Sequence, residues 1–415
     1  MPGAVARIST FALTNGTKPL AYLIRLTDIF NKLLKNGGKR MELQLKRPTW
    51  IEINLSALKN NYNFIRSKIS SRTKIAAVVK ANAYGHGAVR IAKELSQLGV
   101  EYFCVGSPEE GIELRDTGIK KPILVLAEIL EFQIMDVIAG DLIQTTASLE
   151  TIKALNKAAS KLNKIIKVHL KIDTGMGRIG FFPKEINDVL KYVEKLEFIK
   201  IEGLFSHLAQ ADEADKDYSY LQLQKFNSLI KSLNKEQDKI PLIHIANSAA
   251  IIDLPETYLD LIRPGIMLYG LLPSNDLNKE ADLEPVLAFK TKIIQIRELP
   301  ANSFISYGST YKTETKEKLA VLPVGYKDGY PRLLSNQGEV LIRGERAPIR
   351  GRVCMGQTIV SVDHLNEVKV GDEVVLIGKQ KNEEISASEI AKLCGTINYE
   401  IVCNLSERLE KIFLE

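Results

Sequence analysis

From about residue 70 to residue 265, short runs rich in Val, Ile and Leu alternate with segments of helical period. The runs fall at 75–79, 102–105, 123–126, 142–145, 166–172, 199–205, 242–246 and 261–263. Between them, apolar residues recur at i, i+4 and i+7, as in Ile91, Leu95 and Leu98, which marks amphipathic helices facing the strands. Continuous apolar runs are what strands covered on both faces require. Eight strand–helix units at this regular spacing predict a TIM-type (β/α)8 barrel rather than an open sheet.

After about residue 280 the rhythm changes. Runs at 287–296, 318–322, 339–342, 358–362 and 373–377 are β-rich and separated by Gly and charged turns such as Arg343-Gly344-Glu345 and Val370-Gly371-Asp372, the pattern of a mostly β C-terminal domain. Ser274, Asn275, Asp276 and Asn278 form a polar linker near the boundary. The chain therefore divides into an extension at 1–40, a barrel at 41–280 and a β domain at 281–415, two domains being usual for 415 residues.

Composition refines this picture in two places. Hydrophobic residues make up 45% and charged residues 26%, the proportions of a globular protein, and no apolar run approaches the roughly 20 residues needed to cross a bilayer. The net charge of +6 is carried wholly by residues 1–40, where seven basic side chains meet one acid, Asp28. The rest is balanced, so a body that grips nucleic acid is not expected. Residues 1–40 also carry an apolar stripe through Leu23, Leu26, Phe30, Leu33 and Leu34, as a presequence or membrane-surface helix would. The simpler reading is a translated upstream region, with Met41 opening the domain. Cys104, Cys354, Cys394 and Cys403 never form a C-x-x-C pair, so free thiols in a reducing, cytoplasmic compartment are expected, and neither a disulfide framework nor a metal site.

The chemistry begins at V-V-K-A-N-A-Y-G-H-G, residues 78–87. Lys80 ends an apolar run and is followed by a small-residue turn, which in a barrel sets the amine at the mouth. An amine desolvated there loses proton affinity and can form a Schiff base. A second segment, H-L-K-I-D-T-G-M-G-R-I-G at 169–180, alternates Lys171 and Asp173 with apolar Leu170 and Ile172, then turns on glycines to present Arg178. Charges buried on a strand need partners, and pairing of Lys171 with Asp173 or a neighbouring carboxylate is the ordinary solution. His207 ends another strand run. Asn247 and Ser248 stand at the start of a helix, where backbone N–H groups bind phosphate well and where either side chain can also serve as an N-cap.

Together these segments resemble the alanine racemase family, and the likeness extends in the family's order from Met41 to the end of the chain. The resemblance implies a pyridoxal 5'-phosphate (PLP) enzyme, an isomerase that interconverts L- and D-alanine and supplies D-alanine for peptidoglycan. It implies PLP carried covalently by Lys80, with phosphate contacts from Tyr84, Asn247, Ser248, the amides of Gly265 and Ile266, and Tyr399. Arg263, in L-I-R-P-G at 261–265, would face the pyridine nitrogen and keep it unprotonated, with His207 in the same network. Lys171 is implied as a carbamylated lysine orienting Arg178, which would meet the substrate carboxylate.

Racemisation at one carbon needs proton exchange on both faces. The resemblance assigns Lys80 to the D-enantiomer and Tyr307 to the L-enantiomer. It also places Tyr307 in the site of a partner subunit, which implies a homodimer. Tyr326 would line the mouth, and the Met355 amide would bind substrate carboxylate. One position departs from the family: Gly356 stands after Met355 where aspartate is usual, which leaves substrate preference open. The rival readings are a racemase of broader range and a non-catalytic PLP-binding protein. The second is disfavoured by the β domain that carries Tyr307.

Overall fold

The computed structural model describes residues 47–233, 240–274, 276–277 and 281–415. The expected extension at 1–40 lies outside them.

The first strand, β1 (Thr49–Asn54), leads into a helix at Leu55–Lys68 that Asn54 caps by accepting from the Ala57 amide. Eight strands then alternate with helices: β2 (Lys74–Val78), β3 (Tyr102–Val105), β4 (Ile123–Val125), β5 (Ile143–Thr146), β6 (Ile166–Lys171), β7 (Ile199–Phe205), β8 (Leu242–His244) and β9 (Leu261–Ile262). All neighbours pair in parallel, in the order β8-β7-β6-β5-β4-β3-β2-β9. The seam between β8 and β9 carries no ladder, yet Asp260 donates to the Ile243 carbonyl and Arg263 to that of Ala246, each at 3.1 Å. The sheet is thus a nearly closed barrel, and each of the eight expected runs supplies one stave.

The helices bury the stripe that their periodicity predicts. In Ala88–Leu98, Ile91, Ala92 and Leu95 are buried, and Gly99, at φ 99°, ends the helix. In Leu149–Lys161, Ile152, Leu155 and Ala159 face the strands, while Ser148 caps the first turn.

The remaining strands are β10 (Leu287–Lys292), β11 (Gln295–Leu299), β12 (Phe304–Ile305), β13 (Tyr311–Lys312), β14 (Glu317–Leu322), β15 (Glu339–Ile342), β16 (Glu345–Pro348), β17 (Thr358–Ser361), β18 (Glu373–Gln380), β19 (Glu383–Ile385) and β20 (Glu410–Leu414). The larger sheet runs β16-β15-β18-β10-β1-β20 with β19 on β18, and a smaller one runs β11-β14-β17. The single run expected at 287–296 is divided. The Ile293 amide donates to Asp372 and that of Ile294 to Val321, so consecutive residues hand the chain from one sheet to the other. β1 is no barrel stave; it pairs antiparallel with β10 and parallel with β20. Among the described residues, no helix is long and apolar enough to cross a membrane, and all four cysteines are free.

Candidate active site at the barrel mouth

Past the end of β2 the chain makes an uncommon turn. Ala81, Asn82, Ala83 and Tyr84 all have φ of 52–53°, a left-handed conformation that costs an L-residue about 1–2 kcal/mol each. The turn is held by i to i−4 bonds from Ala83 to Val79 (2.8 Å) and from Gly85 to Ala81 (3.0 Å). Glu110 clamps it further, accepting from the Ala81 amide at 2.7 Å and the Gly106 amide at 2.6 Å. Strain over-determined by its surroundings is typical of functional sites. Here it opens the helix at Lys80, whose side chain lines a cavity of about 640 Å³ at the carboxyl ends of the strands.

That cavity gathers most of the expected residues: Lys80, Tyr84, Lys171, Arg178, His207, Asn247, Ser248, Arg263, Gly265, Ile266 and Tyr399 all line it. Asn247 is an N-cap, accepting from the Ala250 amide at 3.0 Å, and Ser248 opens the helix and accepts from the Gly265 amide at 2.8 Å. The Tyr84 hydroxyl lies directly over Gly265, 2.6 Å from where a β-carbon would stand. Its ring is 6.0 Å from that of Tyr399, centroid to centroid. Burial pushes both phenols up, so each is a protonated donor. The helix bearing Tyr399 is tied to the mouth by Asn398, which donates to the Leu272 carbonyl at 2.8 Å.

Arg263 is buried in the same cavity lining. Its Nη2 donates to the carbonyls of Ser206 and Ile245 at 2.9 Å and lies 3.4 Å from His207 Nδ1, while Nη1 is 2.6 Å from His244 Nδ1. Burial brings its guanidinium down to about 10, which leaves it charged at neutral pH. Burial, then Arg263, holds His207 well below the usual histidine range. His207 therefore stands neutral, and the positive charge of this network belongs to Arg263.

Lys171 does not make the pairing that its neighbour offered. Asp173 instead accepts from the amides of Gly175 (2.8 Å) and Gly177 (3.0 Å) and shapes the turn before Arg178. Lys171 Nζ is buried with no hydrogen-bond partner, 4.8 Å above the Phe205 ring. Burial, with Arg263 and Arg178 nearby, lowers its proton affinity well below the usual lysine range.

Three expected residues stand elsewhere. Tyr307, Met355 and Tyr326 are 72%, 58% and 45% exposed and lie outside the cavity, on the β domain. Their segments are bound together, since Tyr326 and Lys327 donate to the carbonyls of Cys354 and Met355, and Ser306 Oγ to that of Arg352. Lys327 fills the space left at Gly356, with Nζ 2.6 Å from where a β-carbon would lie.

Sequence reasoning passed over Glu110, and also His169 and His244, whose rings meet at 2.9 Å inside the barrel. Both histidines sit in the segments that drew attention, but nothing local announces a contact spanning 75 residues.

Comparison with known proteins bears on this geometry. Residues 53–273 match the family model for the alanine racemase N-terminal domain, and residues 286–413 that for the C-terminal domain. The chain is 52% identical to alanine racemase of Halothermothrix orenii, over 89% of this chain and 98% of that protein. It is 47% identical to alanine racemase 2 of Caldanaerobacter subterraneus subsp. tengcongensis, over 89% and 95%. A solved alanine racemase of Clostridium difficile superposes with a TM-score of 0.86 at 41% identity, covering 90% of this chain and 97% of that one.

Proposed function

The chain belongs to the alanine racemase family and interconverts L- and D-alanine, and from that premise we propose that it works with PLP held at the barrel mouth and with two acid/base groups drawn from two subunits. The lining fits such a ligand. Lys80, Arg178 and Arg263 line the cavity with two carboxylates, Glu128 and Asp212, a lining with basic groups suited to a phosphate and a substrate carboxylate. Gly265 keeps a β-carbon out of the cradle beneath the Tyr84 hydroxyl.

When bound through Lys80, PLP makes the α-proton of alanine acidic by delocalising the electrons left behind. The phosphate would be held by the Tyr84 and Tyr399 hydroxyls, Ser248 Oγ, and the amides of Gly265 and Ile266, with Asn247 ordering the helix start. Arg263 would address the pyridine nitrogen with a charge it retains at neutral pH, which would keep that nitrogen a lone-pair acceptor and limit charge build-up on the ring. Arg178 orients the substrate carboxylate. Lys171 Nζ attacks carbon dioxide and releases a proton, and the resulting carbamate anion pairs with Arg178. This replaces a buried, partnerless amine by a partnered anion.

Lys80 Nζ exchanges the α-proton of D-alanine, and Tyr307 Oη exchanges that of L-alanine from the other face. The observation that carries the two-subunit reading is the position of Tyr307, which is 72% exposed and absent from the cavity of its own chain. A homodimer in which the β domain of one copy caps the barrel mouth of the other would bring Tyr307, Tyr326 and Met355 to that mouth. The product feeds peptidoglycan synthesis in the cytoplasm, a compartment in keeping with four free thiols.

Subunit complementation tests this arrangement. Lys80→Ala and Tyr307→Phe are each expected to be inactive, and mixing them by dissociation and reassociation should restore about one quarter of wild-type activity, because half the dimers are hybrid and each hybrid holds one intact site. No recovery from hybrids verified by mass spectrometry would refute shared sites.

A further inference from the structure

Behind Arg263 the barrel interior holds a row of polar side chains that the proposed chemistry leaves unused. His244 Nδ1 lies 2.6 Å from Arg263 Nη1, and His244 Nε2 lies 2.9 Å from His169 Nδ1. His169 Nε2 in turn faces Glu202 Oε2 at 3.6 Å, and Glu202 Oε1 meets Lys167 Nζ at 3.2 Å. Both imidazoles are fully buried. Neither His169 Nε2 nor Glu202 Oε2 has any other hydrogen-bond partner, so each is the group available to the other.

The backbone is shaped to make this row. β7 carries one residue more than β6 at this level: Val168 pairs with Ile201 and His169 with Gly203, which leaves Glu202 as the bulged residue. A bulge re-aims a side chain, here toward His169. Gly203 supplies the space, since a β-carbon there would stand 2.5 Å from His169 Nδ1. Phe205 stacks on His244 at 4.7 Å with the planes 4° apart and meets His169 edge-on, so packing fixes both rings.

The chemistry of the two ends dictates the middle. A guanidinium can only donate and a carboxylate can only accept. His244 Nδ1 must therefore accept from Arg263, which puts its proton on Nε2. That proton can only be given to His169 Nδ1, which puts the second proton on His169 Nε2, toward Glu202. We infer that Glu202, His169 and His244 form a directional positioning chain that holds both imidazoles neutral as Nε2–H tautomers and thereby fixes Arg263 against the cofactor ring. Burial depresses both imidazoles, and Arg263 adds to this in each. For Glu202, burial alone would raise the carboxyl, yet His169 and Lys167 hold it below the usual range. The tautomers are a property of the protein alone, whereas their catalytic use rests on the reading that Arg263 addresses the pyridine nitrogen.

The protein has five histidines, few enough to resolve by long-range proton–nitrogen NMR on the 15N-histidine-labelled holoenzyme, with His169→Gln and His244→Gln assigning the signals. At neutral pH both residues should display a pyridine-like Nδ1 and a pyrrole-like Nε2. An imidazolium pattern, or a proton on either Nδ1, overturns the inference.

Glu202→Gln offers a donor as readily as an acceptor, so it should shift the His169 nitrogens toward a tautomer mixture. It should also lower kcat about tenfold, with KM within roughly twofold and the cofactor absorbance retained. Unchanged nitrogens and kcat overturn the role of Glu202, and Glu202→Asp should recover part of both signals. Should Glu202→Gln fail to fold, the wild-type tautomers still decide. Correct tautomers in a protein with no Lys80-bound cofactor band would refute the cofactor reading and spare the chain; a normal band with wrong tautomers would do the reverse.

Discussion

The Tyr84 hydroxyl stands 2.6 Å from the point a β-carbon on residue 265 would occupy, and Tyr84 Cζ stands 3.3 Å from it. Tyr84 is itself packed against the Tyr269 ring at 5.1 Å, so its hydroxyl has little freedom to withdraw. Gly265→Ala should therefore displace the hydroxyl from the phosphate cradle at an overpacking cost of about 1–3 kcal/mol, roughly 5- to 150-fold in PLP affinity. Titration of the apoenzyme followed by absorbance measures this, and an unaltered affinity would mean that the cradle lies elsewhere.

A substitution on the β domain should have the opposite signature. Tyr307 is largely exposed in its own chain, so Tyr307→Phe should leave fold and PLP binding intact while removing one of the two proton carriers. Racemisation should fall by about 10²- to 10⁴-fold. Solvent-deuterium incorporation should fall more from L-alanine than from D-alanine. Near-normal turnover contradicts the two-base scheme.

What the sequence discloses and what it hides follow from contact distance along the chain. The eight staves are legible because strands covered by helices are rich in Val, Ile and Leu, and that signal is local. Lys80, Arg178 and Arg263 are legible because each stands at a strand end or beyond it, where a barrel keeps its chemistry. β1 is different: it precedes the alternating segments, and nothing in Thr49–Asn54 says that its partners are Leu287–Lys292 and Glu410–Leu414. The break at Ile293 and Ile294 is likewise invisible within a continuous β-rich run, because it is set by two different acceptors, Asp372 and Val321. The Lys171–Asp173 pairing was reasonable on alternation alone, yet the glycine turn claimed the carboxylate first.

Lys171 invites a direct measurement. Its amine is buried without a partner, and its lowered proton affinity favours the neutral amine, the form that attacks carbon dioxide. Protein equilibrated with 13C-bicarbonate should give a carbamate carbon resonance that Lys171→Gln abolishes, with turnover falling as dissolved carbon dioxide is removed. An identical spectrum in the two proteins would rule the modification out.

Position 356 tests the mouth. The Lys327 ammonium occupies the volume above Gly356, and it is the flexible end of a side chain, so a new side chain can push it aside cheaply. Gly356→Asp should place a carboxylate beside that amine and neutralise it, an exposed pair worth about 0–1 kcal/mol to stability. If the β domain caps the partner's mouth, removal of a cation there should raise KM for alanine severalfold while kcat and Tm barely move. A fall in kcat at constant KM would place Lys327 away from the path of the substrate.

The buried histidines set the stability at acid pH. His86 is fully enclosed, its Nδ1 2.8 Å from the Tyr84 carbonyl and its ring stacked on Tyr269, and burial brings it down to about 4. The unfolded chain takes up this proton near 6.5, so between those values the unfolded state binds more protons than the native one. Stability is then fully present above about pH 6.5 and is lost as pH falls toward 4, by up to about 3 kcal/mol for this residue. His169, His207 and His244 are depressed in the same direction, and their losses add to the slope. Denaturant midpoints measured from pH 8 to pH 4 should decline steeply below about pH 6.5, and His86→Gln should flatten part of that decline. A midpoint independent of pH across this window would mean that these imidazoles are protonated, or wet, in the native state.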